Sequence, residues 1–86
     1  AAAAREPLMR RLRALGTLLR DLQVVSAGGD RAWLANADLE AELTELVQSY
    51  DTGRAGRGFA SVERAVNALT RNASPKVVVD WLALQI

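Results

Sequence analysis

The groups able to do chemistry in this chain are carboxylates and guanidinium ions. Its 86 residues include eleven Lys or Arg and ten Asp or Glu, with no cysteine and no histidine. Without thiol or imidazole there is no disulfide, no zinc site of the usual kind, no nucleophile paired with histidine and no histidine pH switch. Three constellations remain. Gly53-Arg54-Ala55-Gly56-Arg57-Gly58 is glycine-rich and basic, as a phosphate-binding loop is. Such a loop needs a preceding strand and a Gly-Lys-Ser/Thr ending, and neither is present, so the segment reads as a solvated loop between helices. Asp38, Glu42 and Glu45 fall at spacings of four and three, on one helix face. No second helix offers partner carboxylates for a divalent ion, so this row reads as a solvated face or one paired with arginines. Arg10, Arg13 and Arg20 share one face of a first helix, and Arg64 and Arg71 share a face of a third. Basic stripes are the electrostatic footprint of nucleic-acid binding. Here the net charge is only +1 and no aromatic platform sits among the arginines, so solubility and protein–protein contacts explain them better. No catalytic residue, cofactor or metal is expected.

The elements that position these groups follow from apolar spacing. Leu8, Leu12, Leu15, Leu19 and Leu22 repeat at four, three, four and three, one stripe of a helix over about residues 6–25. The Ala run can extend it backwards, and Gly28-Gly29 ends it. Gly16 lies on the flank of the stripe, where close packing is the expected reason for it. Trp33 and Leu34 are expected to fold back onto the core. Asn36 is a suitable N-cap for a second helix whose apolar face is Leu39, Leu43, Leu46, Val47 and Tyr50. Asp51–Gly58 reads as a loop, and a third helix follows over about 59–72 with Phe59, Val62, Val66 and Leu69 inward. Ser74 then caps a fourth helix with Pro75 at its first position, where the missing N–H costs nothing. Val77-Val78-Val79 is β-branched and compatible with a strand. The Ser-Pro start, the absence of any partner strand, and Asp80, Ala83 and Gln85 favour helix.

The expected fold is therefore all-α, a single small bundle of about four helices over 1–86. Its expected core is Leu12, Leu15, Leu19, Leu22, Leu43, Leu46, Val66, Leu69, Trp81 and Leu82. Charge is blocked along the chain: residues 36–52 hold five acids and no base, and both flanks are net basic, which predicts an acidic helix facing basic neighbours. No stretch is long and apolar enough to span a membrane, and Ala1–Ala4 before Arg5 lacks the apolar core of a signal peptide, so a cytoplasmic location is the expectation.

The last helix is apolar on most of its surface up to Ile86, whereas chain ends are ordinarily frayed and polar. An apolar end implies docking. The expected partner-contacting residues are Val79, Leu84 and Ile86 on this helix, with Arg13, Arg20, Arg64 and Arg71 on the polar faces.

The order of these motifs is informative. Leu18-Leu19-Arg20-Asp21-Leu22 is followed by a Gly-Gly turn, then Leu34-Ala35-Asn36-Ala37-Asp38-Leu39. An Ala- and Arg-rich helix then closes on Arg71-Asn72-Ala73-Ser74-Pro75-Lys76 before the terminal apolar helix. Over nearly the whole chain this resembles the C-terminal domain of the delta-prime subunit of bacterial DNA polymerase III, the clamp-loader stator. In that family the segments read roughly W-x-R-D-L-L-L, N-P-D-L and R-N-V-N-P-x-L-A-L-E-x-L-L-L. Ala37 stands where the family has proline and Ser74 where it has asparagine, and Val77–Val79 is more β-branched than the family's Leu and Ala. The resemblance implies a non-catalytic oligomerisation domain, one fifth of the helical collar that holds a five-subunit ring. Its partners would be the delta and tau/gamma subunits of the clamp loader, which opens the sliding clamp in DNA replication. The nucleotide-fold domains and the arginine that acts on a neighbour's ATP would lie upstream, and Ala1 in place of a start methionine fits a fragment. The domain alone would bind no nucleotide and would contact DNA weakly at most. The collar domain of a related clamp-loader subunit is a close variant of this reading. The alternative is a free-standing helical nucleic-acid-binding or regulatory module that uses the Arg-rich faces.

Overall fold

The computed structural model describes residues 2–86. Four helices follow in order: α1 (Ala2–Ser26), α2 (Glu40–Leu46), α3 (Thr52–Thr70) and α4 (Pro75–Gln85). Single 3₁₀ turns at Arg31–Trp33 and Ala37–Leu39 lie between α1 and α2. No strand occurs among the described residues, so the β-branched Val77–Val79 run is helical and the chain is a small all-α bundle.

α1 is the spine. It packs most extensively on α3 and also touches α2 and α4. α3 lies antiparallel to α1. The Thr52 hydroxyl donates to Ser26 Oγ at one end, and Gly16 faces Phe59 and Val62 further along. α4 then folds back along α3 and also reaches the first half of α1, where Arg5 Nη2 donates to the Ala73 carbonyl at 3.3 Å. The helix starts at Ala2, so the Ala run does extend it and Pro7 lies inside the helix, giving up one backbone bond. It ends at the glycine pair. Gly28 takes φ +72°, its N–H reaches the Val25 carbonyl at 3.1 Å, and the Gly29 N–H reaches Val24 at 2.8 Å. This pair of bonds satisfies carbonyls that the helix end would otherwise leave free.

The core is Met9, Leu12, Leu19 and Leu22 of α1, Leu43 of α2, Ala55, Val62, Ala65 and Leu69 of α3, and Val78 and Leu82 of α4. Four expected core residues differ. Leu15, Val66 and Trp81 are half-buried at its edge, and Leu46 is 50% exposed. Because α2 is only two turns long and packs chiefly on α1, its inner side has room for Leu43 but not for a residue three further on. Trp33 does not return to the core. It is 69% exposed and lies over the backbone at Gly29.

Two local expectations are corrected. Asp51–Gly58 is not a loop: α3 begins at Thr52. Asp51 caps it, its Oδ1 accepting from the Arg54 N–H at 2.9 Å. The glycine-rich turns are kept helical by burial, since Ala55 is fully enclosed and a side chain at Gly58 would stand 3.3 Å from both Leu19 Cδ1 and the Tyr50 hydroxyl. Close approach of α3 to α1 outweighs the roughly 1 kcal/mol per residue by which glycine disfavours helix. Asn36 precedes a 3₁₀ turn but makes no side-chain cap bond. Its amide is committed elsewhere. Asp21, 1% exposed in the middle of α1, accepts from the Ala35 N–H at 2.9 Å, the Asn36 N–H at 2.8 Å and Asn36 Nδ2 at 2.9 Å. A carboxylate is tolerated in this buried position because charge-assisted hydrogen bonds replace its water. It clasps the α1–α2 connection to the spine.

Candidate partner interface

The side chains that can bind something are the apolar ones α4 leaves uncovered and the arginines of α1 and α3. α4 is helical because Ser74 Oγ accepts from the Val77 N–H at 3.4 Å and Pro75 opens the first turn. An eleven-residue helix packed against one side of a helical pair buries only one stripe, here Val78 and Leu82 with Trp81 beside them. The rest of its apolar residues therefore face outward: Leu84 is 84% exposed and Val77 64%, with Val79 and Ile86 also open to solvent.

The expected contact residues do not form one surface. Val79 and Ile86 line an apolar groove between α4 and α1, with Leu8, Leu12, Leu82 and Ala83. Leu84 is exposed outside that groove. Arg64 and Arg71 line a second hollow along the end of α3, with Asn67, Ala68 and Ala73, beside the groove between α3 and α4. Arg13 lines a third, between α1 and α3, with Gly16, Phe59, Val62, Glu63 and Val66. Arg20 is exposed two turns further along α1. The basic stripes are thus divided by the ridge of α3.

The charge arrangement departs from expectation. Asp38, Glu42 and Glu45 are exposed, and the two ion pairs found among the described residues are Arg31–Glu40 and Lys76–Asp80, each at 3.1 Å. The acidic helix does pack on the basic α1, but through Leu43: of its carboxylates Glu40 alone is paired, with Arg31, and Glu42 and Glu45 face solvent. No group of three acidic side chains close enough to hold a metal ion occurs among the described residues. Arg64 stands over the Trp81 ring, 5.4 Å from guanidinium carbon to ring centroid, and Arg54 stands over Tyr50 at 4.5 Å. No helix among the described residues is long and apolar enough to cross a membrane.

Spacing within a single helix did not reveal the α3–α4 groove. Its apolar floor comes from Ala65 and Ala68 on α3 and Ala73, Val77, Val78 and Trp81 beyond it, with Arg64 at the edge. The signal available was the small-residue pair Ala65 and Ala68, which lets α4 approach closely. No protein-family model matches this chain, and no curated protein or solved structure matches it.

Proposed function

We propose that this chain is a non-catalytic oligomerisation domain of a replicative clamp-loader subunit of the delta-prime type, packing beside the delta and tau/gamma subunits in a helical collar. The observation that carries the reading is the open apolar side of α4. Val79 and Ile86 are exposed and line the groove with Leu8 and Leu12, and Leu84 is exposed on the same short helix outside it. An exposed apolar groove of this kind is the sort of surface that a protein partner covers. A second feature supports it. The two internal segments that carry the resemblance meet in space, since Asp21 of the first accepts all three of its hydrogen bonds from Ala35 and Asn36 of the second. In this reading the domain assembles rather than reacts, in a cytoplasmic replication complex.

The test uses a subunit that carries this domain. Leu84→Asp and Ile86→Asp place a charge where apolar contact is proposed, which costs several kcal/mol if the position is covered and almost nothing if it is open. Co-purification with the delta and tau/gamma subunits is expected to fall at least about tenfold, corresponding to 1.4 kcal/mol or more. The melting temperature of the isolated domain is expected to stay within about 3 °C for Leu84→Asp. Normal assembly by both variants would remove α4 from the interface.

A further inference from the structure

We propose that the groove between α3 and α4, edged by Arg64 and Arg71 and floored by Ala65, Ala68, Val77 and the Trp81 ring, docks an acidic protein segment carrying an aliphatic anchor between two carboxylates. This holds whether or not the chain is a clamp-loader domain, and the groove is separate from the α1–α4 face invoked above. The apolar part has a volume of about 290 Å³ and is lined almost wholly by carbon, with Arg64 shared between it and the polar strip along α3. An aliphatic side chain entering it removes apolar surface from water on both partners.

The arginines define the rest of the ligand. Neither Arg64 nor Arg71 forms an ion pair among the described residues, and both are exposed. The Arg64 guanidinium carbon stands over the Trp81 ring, 5.4 Å from its centroid, a position from which it can stack on the ring. Stacking occupies the face of a guanidinium and leaves its in-plane N–H donors free, the geometry that accepts a carboxylate in two-pronged fashion. Arg71 lies seven residues on, about 10 Å along the helix, with Asn67 between them. An extended segment rises about 3.3 Å per residue and turns every second side chain to one face. Carboxylates four residues apart, about 13 Å, therefore reach the two arginines with one apolar side chain between them on the same face, the long side chains taking up the difference. An acid–x–apolar–x–acid segment satisfies both ends and the floor together. Of the nearby carboxylates, Asp80 is engaged by Lys76, and Glu63, which lines a neighbouring hollow with Arg64 and Asn67, is not within ion-pair distance of either arginine.

A nucleic acid fits less well. Base stacking needs an open aromatic face, and the Trp81 ring is covered by Arg64. Two arginines over a carbon floor also make a poor phosphate track, which gains affinity by neutralising many charges in a row.

The experiment is an amide and indole NMR titration of the ¹⁵N-labelled domain with the blocked peptide Gly-Glu-Ser-Leu-Ser-Glu-Gly. A second peptide has lysine for both glutamates, a third has aspartate for leucine, and a short oligothymidylate is the fourth probe. The expected result is saturable shifts confined to Asn67, Ala68, Val77 and the Trp81 indole, with a millimolar or tighter Kd for the first peptide. Both altered peptides are expected to bind about tenfold more weakly or worse. Arg64→Glu and Arg71→Glu are expected to lose binding with the spectrum otherwise unchanged. Arg64→Lys, which keeps the charge and loses the planar fork, is expected to bind at an intermediate level. Absence of shifts in the groove overturns the proposal, as does equal binding of the lysine peptide. Tighter binding of oligothymidylate at the same residues also overturns it and makes the groove a nucleic-acid surface.

Discussion

The two ends of this 40 × 22 × 17 Å molecule treat polar and apolar groups in opposite ways. At the α2 end, a carboxylate is buried and accepts three hydrogen bonds, so that Asp21 fixes the α1–α2 connection to the spine. At the α4 end, apolar side chains are left in water on a helix that is otherwise well capped. A buried charge is costly unless every lone pair is used, and exposed leucine is cheap in isolation but meaningful in a row. The α2 end is thus fixed by a buried polar contact, although Trp33 and Leu46 stay exposed there, whereas the α4 end is held by apolar packing on one side and leaves the rest of its apolar residues in water.

The largest test breaks the closed end. Asp21→Ala leaves two backbone N–H groups and the Asn36 amide without their acceptor, each worth about 1–3 kcal/mol when buried. Because the segment can open to water, a total loss of about 4 kcal/mol is expected, read as the shift of a urea midpoint. A loss below about 1 kcal/mol would mean that the clasp is incidental. The next test sharpens the contrast within α4. Leu82→Ala, at a buried position, is expected to lose about 3 kcal/mol, a typical large-to-small core value, and Leu84→Ala two residues away less than about 0.5 kcal/mol. Similar losses at both would show that the open end is core after all. A gain is expected midway between the ends. A methyl group on Gly16 would stand 3.5 Å from Val62 Cγ1 and 3.8 Å from Phe59 Cε1, ordinary contact distances. Gly16→Ala should therefore raise stability by about 1 kcal/mol in thermal melts. A fall would mean that the α1–α3 contact cannot admit the methyl group.

Gly16 also shows how far the sequence can be read. Its place on the flank of a leucine stripe follows from periodicity, and the helices α1 and α4 follow from period and capping, including the Ser74-Pro75 start. What periodicity omits is the partner. It gives the face of α3 but not its beginning, because the glycines of 53–58 disfavour helix locally and only the packing of Ala55 and Gly58 on α1 reverses that. It offers Asn36 as a cap, because asparagine is a favoured capping residue. Its side-chain nitrogen instead donates to Asp21, fifteen residues earlier, which fixes the amide there, and no local pattern announces that acceptor. Leu46 and Trp33 fail for the converse reason: their types suit a core, and the two-turn α2 leaves no room to receive them. Among the candidate interface residues, exposure of Val79, Leu84 and Ile86 was legible as surplus apolar surface on a helix too short to bury it. The separation of Arg13 from Arg64 and Arg71 was not, since it depends on which grooves α3 divides.

The Asp21 clasp has a consequence for how the chain finds this arrangement. The principal contact joins α1 to α3 across residues 27–51, a closure that must be made before the pairing is rewarded. Pinning Asn36 to α1 first leaves only residues 37–51 to close, and the entropy of a loop grows as about (3/2)RT ln n, so the saving is about 0.5 kcal/mol. The clasp divides one long search into two shorter ones, and variants that weaken it should slow refolding as well as speed unfolding.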